Sequence, residues 1–251
     1  MNYGEILLYG VYSDLRTEIA RRFLGFLWWI IEPVMYMAVF YVVFGLALRQ
    51  GGPDYVPFLL CGMIAWKWFD GSVRQASLSI PMNAGLVQQI YVPKGLFALI
   101  QIFSNTFKFI IVLLLLLGFL VVTGKTPGMQ WLGLLPVILT QLLLIIAVGL
   151  LLAAIIPFAQ DLKLVVDNLL MLMMFMSGIF FSADQVPEHM RGAFEYNPMV
   201  LLIGAYRDIL LRGEWPHWSS LGYCVALSLP ILGLALLTLA RNERRYPKLL
   251  Y

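Results

Sequence analysis

Three charges interrupt long apolar stretches of this sequence: Lys67, Asp70 and Lys108. Lys67 and Asp70 stand in the run Trp66-Lys67-Trp68-Phe69-Asp70, and Arg74 follows. Lys67, Asp70 and Arg74 fall at i, i+3 and i+7, one face of a helix. Ionisable groups at membrane depth are costly, so they pair with one another or line a wet path. A local Lys67–Asp70 pair and a path-lining role both satisfy that rule. Lys108 has no partner on its own helix; Asp70 or a second copy of the chain are the partners to consider. One functional reading is therefore an ion-coupled transporter or channel. A membrane enzyme acting through Asp184, Glu188 or His189 is another, but no tight acidic and histidine constellation supports it. His189 and His217 read as interfacial polar residues. The sequence has no HExxH, GxSxG or paired-cysteine motif, and no GxxxxGK[ST] phosphate loop. It thus shows no nucleotide motor and no metal site of its own. Cys61 and Cys224 sit in apolar segments as small hydrophobes.

The elements that carry these residues follow from composition. The chain has 251 residues, of which 61% are hydrophobic and 12% charged. Soluble domains are roughly 25% charged, and mean hydropathy here is +0.84. The expected fold is an all-α polytopic membrane protein forming one domain. Six spans are expected, at 26–48, 55–79, 96–122, 131–158, 164–181 and 218–239. Residues 1–25 read as an amphipathic interfacial helix, with Arg16, Arg21 and Arg22 at the headgroups. Lysine and arginine placement puts both termini and residues 80–95 in the cytosol, and 182–216 outside. No internal repeat of fixed period is visible, which counts against an inverted-repeat secondary transporter.

Residues 80–95 read IPMNAGLVQQIYVPKG. Asn83 is a suitable N-cap, and Pro93 stops the helix that 84–92 can form. Leu86, Val87, Ile90 and Tyr91 then share one apolar face, with Gln88 and Gln89 off it. So short a helix must pack on something to persist. Residues 184–212 are too short in each piece to span, and Asn197 with Pro198 marks a helix start there. Trp29, Tyr36, Phe40 and Phe44 form a stripe on the first span, and Trp66 and Phe69 extend it. Flat aromatic faces suit the C–H faces of sugar rings, and the Tyr36 hydroxyl adds a polar tip. Packing against lipid or other helices explains each of these residues singly.

Several stretches resemble the transmembrane permease subunit of ABC exporters for lipid-linked polysaccharides (O-antigen, capsule and teichoic-acid export). They are Arg21-Arg22-Phe23-Leu24-Gly25 with Glu32-Pro33, Asn83-Ala84-Gly85-Leu86-Val87 with Tyr91-Val92-Pro93, and Ser177-Gly178-Ile179-Phe180-Phe181 followed by Val186-Pro187, Asn197-Pro198 and Tyr206-Arg207. The likeness implies a homodimer, in the bacterial inner membrane, working with two separate ATPase subunits. ATP and Mg would be bound by those subunits, with no cofactor in this chain. The implied substrate is a polymer on undecaprenyl pyrophosphate; relatives in the superfamily move capsule, teichoic acid, other lipids or drugs. No nucleic-acid partner is expected. By the same likeness, 83–92 couples to the ATPase through Asn83, Leu86, Val87, Gln89, Ile90 and Tyr91. Arg21, Arg22, Leu24 and Gly25 lie where the lipid-linked substrate arrives. Phe180, Phe181, Pro187, Asn197, Tyr206 and Arg207 belong to an external gate. Tyr36, Phe40, Phe44, Trp66, Lys67, Phe69 and Asp70 are the expected channel lining.

Overall fold

The computed structural model describes residues 3–21, 23–43, 54–89, 92–181, 192, 194 and 196–249. The described residues form helices and their connections, with no strand among them. In order these are α1 (Tyr3–Arg21), a tight turn at Gly25–Leu27, α2 (Trp28–Phe40), α3 (Tyr55–Met82), α4 (Ala84–Gln89), α5 (Gly95–Val122), α6 (Leu134–Ile155), α7 (Leu162–Met176), α8 (Pro198–Arg207), α9 (Trp218–Asn242) and α10 (Tyr246–Leu249). Among the described residues, four segments are long and apolar enough to cross a bilayer: Gly25–Val43, Gly95–Val122, Met129–Phe158 and Trp218–Asn242. α3 has 28 residues, about 42 Å of helix. Its charged and small polar residues make it less apolar than those four. α7 has 15 residues, about 22 Å, against a hydrocarbon core of roughly 30 Å.

α3 is nevertheless the helix the others surround, touching α2, α5, α6, α7 and α8. In lipid, helices associate by close packing and hydrogen bonds rather than by hydrophobic expulsion from water. Ala65, Ser72, Ala76 and Ser77 of α3 are small and buried, so neighbours approach closely. Gly149 of α6 crosses there: a Cβ on it would lie 3.1 Å from that of Ala76. Gln141 of α6 donates to the Ala65 carbonyl at 2.8 Å. On the α5 side, Trp68 stacks on Phe109 at 4.0 Å and donates to Thr106 at 3.2 Å.

α9 lies along α6. Its start follows Trp215 and Pro216, which pack at Gly133, and its Leu239 packs at Gly95 near the other end. The ends of α3, α6 and α9 and the start of α5 therefore gather around α4. α1 lies lengthwise beside the first half of α5. Gly10 sits against Ile100, Gln101 donates to Asp14 at 3.0 Å, and Lys108 donates to Glu18 at 3.0 Å. These contacts advance together along both helices, so the two run in the same direction.

One local boundary shifts: α3 runs to Met82, past the expected end of the second span at 79, with Pro81 in its last turn. α4 is described only to Gln89, and Ile90 and Tyr91 lie outside the described residues. The Asn197 start is found as read: its side chain accepts from Met199 N–H at 3.0 Å, with Pro198 in the first turn. Most of the stretch before Asn197, Pro187 included, lies outside the described residues.

Candidate functional site

Three places in the bundle bring the singled-out residues together. The first is the α4 end. Asn83 serves both helices it separates. Its side-chain amide donates to the Ser79 carbonyl at 2.8 Å, near the end of α3, and its own carbonyl accepts from Val87 N–H at 2.9 Å. Val87 is buried, whereas Leu86 is 45% exposed and Gln89 is exposed. Leu86 and Val87 are successive helix positions about 100° apart, so packing one inward turns the other out. The shared apolar face expected for this stretch is therefore split between the bundle and the surface.

The C-terminal residues hold α4 in place. The Lys94 ammonium donates to the Val87 carbonyl at 3.0 Å, and Lys94 N–H donates to Glu243 at 3.1 Å. Burial pulls the Lys94 pKa down, and Glu243 pulls it back up. α10 packs on α4 and on the turn Ile156–Phe158. Tyr246 is fully buried, donates to the Ala154 carbonyl at 3.1 Å and meets Phe158 edge-on at 5.6 Å. The last carbonyls of a helix lack intrahelical donors. In a tight turn the donor for Ala154 would be residue 157, which is proline and has no N–H. The Tyr246 hydroxyl fills that place. Burial, with Glu243 nearby, pushes its phenol up to about 12. Around this pinned helix Arg244, Arg245 and Lys248 are exposed. A tyrosine followed by proline in a basic tail was the only sequence signal for this arrangement.

The second place holds the charges at depth, and here the expected pairings are corrected. Lys67 does not pair with Asp70 on its own helix. It reaches Glu32 of α2 at 3.5 Å and lies over the Tyr36 ring at 3.4 Å. Lys108 does not pair with Asp70; within the chain its partner is Glu18 of α1 at 3.0 Å. Asp70 bonds to Arg74 at 2.8 Å, and Arg74 also bonds to Asp167 of α7. Each charge is thus neutralised between helices far apart in sequence, or by a neighbour one turn away. Trp66 and Phe69 do not continue an exposed aromatic surface. Both are 3% exposed and pack on each other at 5.5 Å, because α3 is enclosed on most sides. Tyr36 remains 42% exposed; the Phe40 side chain and Phe44 lie outside the described residues. Alanine at Arg74, at Asp167 and at both is expected to show a coupling on the order of 1 kcal/mol in unfolding of the detergent-purified chain. Additive losses would mean that this ion pair does not tie α3 to α7.

The third place is the opposite end. Arg207, 7% exposed, donates to the carbonyls of Gly178 and Ile179, both at 2.8 Å, and of Phe58 at 3.2 Å. Its guanidinium also lies 3.3 Å from the centre of the Phe58 ring. It clamps α8 to the start of α3 and to the residues after α7. Tyr206 beside it is buried. Phe180 stacks with Phe175 at 5.9 Å, and Phe181 meets Phe194 at 5.4 Å. Asn197 donates to the Met176 carbonyl at 3.1 Å. Phe180, Phe181, Asn197, Tyr206 and Arg207 thus lie at this end of the bundle, each with its own neighbours; Pro187 lies outside the described residues.

Among the residues named for substrate arrival, Arg21 ends α1 with its side chain exposed, and Arg22 is outside the described set. Leu24 is 37% exposed, and its carbonyl accepts from Leu27 N–H at 3.1 Å. Gly25 turns the chain from α1 into α2 with φ of +53°, a value at which side-chain-bearing residues are strained.

Residues 7–211 match the family model described as ABC-2 type transporter. Similar proteins extend over most of the chain. The O-antigen export system permease protein RfbA of Klebsiella pneumoniae is 26% identical over 226 residues, covering 89% of this chain and 87% of the relative. RfbA of Myxococcus xanthus is 27% identical over 232 residues, covering 92% and 89%. The polysialic acid transport protein KpsM of Escherichia coli is 26% identical over 230 residues, covering 89% and 88%. With a model matching most of its length, the chain belongs to the ABC-2 type transporter family of membrane proteins.

Proposed function

We propose that this chain is the membrane-spanning permease subunit of an ATP-driven exporter of a lipid-linked polysaccharide. The supporting observation is the near full-length likeness to permeases named for O-antigen and polysialic acid export. α2, α3, α5, α6, α7 and α9 act as six spans in the inner membrane, with α4 and both termini on the cytosolic side. A second copy completes the path. Val165, Leu169, Leu172 and Met176 of α7 are exposed at near-heptad spacing, which suits a helix–helix seam. The substrate on undecaprenyl pyrophosphate arrives at the Leu24–Gly25 elbow, where Arg21 and Arg22 meet the phosphates. Residues 184–212 gate the outer end.

ATP and Mg are bound by two separate subunits. Each receives α4 in a cleft, through the outward Leu86 and Gln89. Cysteine at Leu86 or Gln89 is expected to cross-link to a co-expressed cognate ATPase subunit. No cross-link from any position in 83–92 would sink the coupling role. Transport by the purified chain alone under a proton gradient would favour ion coupling instead.

A further inference from the structure

A cavity of about 270 Å³ lies between α1 and α2 on one side and α3 and α5 on the other. Its walls carry Glu18, Glu32, Lys67 and Lys108, with Trp28 and Tyr36 among the aromatic residues. Two carboxylates and two ammonium groups give it no net charge. The inner pair, Lys108–Glu18, is short at 3.0 Å, with side chains 17% and 24% exposed. The outer pair, Lys67–Glu32, is long at 3.5 Å, with side chains 42% and 53% exposed. The inner pair is a formed floor, and the outer pair is an open mouth held by a weak contact.

That arrangement selects a ligand by charge. A purely anionic group at the mouth would meet Lys67 but face Glu32 as well. A simple cation would satisfy Glu32 and repel Lys67. A neutral sugar would compensate neither charge. A group carrying both signs can insert between the two residues and replace one long contact with two short ones, which are the stronger hydrogen bonds. Trp28 also lines the cavity, and an aromatic ring there can attract the cationic end, while the Tyr36 ring already carries Lys67. Size permits it: the space equals roughly nine waters by their liquid share, more than the about eight bonded non-hydrogen atoms of a phosphoethanolamine group need. A primary ammonium has N–H donors for Glu32, as the lysine ammonium does; a quaternary ammonium has none. On the side of α2 that carries Glu32 and Tyr36, Met35 and Val39 are exposed at helical spacing, an apolar track on which acyl chains can lie.

We propose that this cavity binds the headgroup of a phosphatidylethanolamine lipid, with phosphate at Lys67 and ammonium at Glu32. The site is independent of what the chain exports. The test equilibrates the detergent-purified chain with equimolar phosphatidylethanolamine, phosphatidylglycerol and phosphatidylcholine and counts retained lipids by native mass spectrometry. The expected result is one retained phosphatidylethanolamine per chain, favoured about tenfold over the other two. Glu32→Gln and Lys67→Gln, each at an exposed position, should each erase that preference. Unchanged size-exclusion behaviour will show that both variants are folded. Equal retention of the three lipids would overturn the proposal, as would a preference that survives both substitutions. Displacement by methyl glucoside would assign the cavity to sugar instead. Binding of soluble phosphoethanolamine without any lipid preference would overturn the lipid assignment.

Discussion

Arg207→Met is expected to destabilise the chain by about 3–5 kcal/mol. The methionine fills similar space but leaves the carbonyls of Gly178, Ile179 and Phe58 without their donor. A buried acceptor that loses its partner costs roughly 1–3 kcal/mol. Arg207→Lys keeps the charge, but its single ammonium cannot reproduce the fork of donors or the flat contact with Phe58. It should fall between wild type and methionine. Gly62 supplies an independent check, because a Cβ there would lie 2.8 Å from Arg207 Nη2 and 3.3 Å from Ile179 Cα. Gly62→Ala should therefore cost about 1–3 kcal/mol by crowding the clamp. In the Arg207→Met background the same exchange should cost much less, since the clashing group is gone. Thermal or denaturant unfolding in detergent reads all four proteins. A methionine variant as stable as wild type would show that Arg207 does not hold its end of the bundle together.

Tyr246→Ala is expected to loosen α4 without disturbing the opposite end. The ring is fully buried against Phe158, and removing it should cost about 3–5 kcal/mol. Tyr246→Phe keeps the packing and orphans only the Ala154 carbonyl, at about 1 kcal/mol. Hydrogen exchange distinguishes this local role from general instability. Amides of 84–96 should lose protection in Tyr246→Ala, while those around Arg207 should not. If the two regions lose protection equally, α10 is ordinary packing and not a brace for α4. Within the exporter reading, the alanine variant should also hydrolyse ATP with its partner while exporting less per ATP. A helix that slides under load transmits little movement to the spans behind it.

Much of the architecture was legible in the sequence because it depends on local and compositional physics. Long apolar runs specify membrane helices, since every backbone N–H and C=O in lipid must be satisfied within its own segment. Asn197-Pro198 marks the start of α8 because an N-cap and a first-turn proline act through bonds to their own chain neighbours. Cys61 and Cys224 are both free and buried, as their apolar surroundings indicated. Arg207 was visible in the sequence only as part of a Tyr206-Arg207 pair; its carbonyl partners Gly178, Ile179 and Phe58 were not.

What the chain determined by itself, then, is its class, most of its helices and the caps and elbows between them. What only tertiary structure decided is which groups answer one another. Glu18 and Lys108 are far apart in sequence, as are Glu32 and Lys67, and Asp167 and Arg74. No periodicity links such pairs; α1, α2 and α7 must first dock on α3 and α5. Likewise, periodicity placed Leu86 and Val87 on one apolar side, but the neighbours assigned Val87 to the bundle and Leu86 to the surface. Trp66 and Phe69 became core because α3 took the central position. The physical reason is common to all three cases. A helix pattern fixes angles around one axis, and only the packing of several axes fixes what each angle faces.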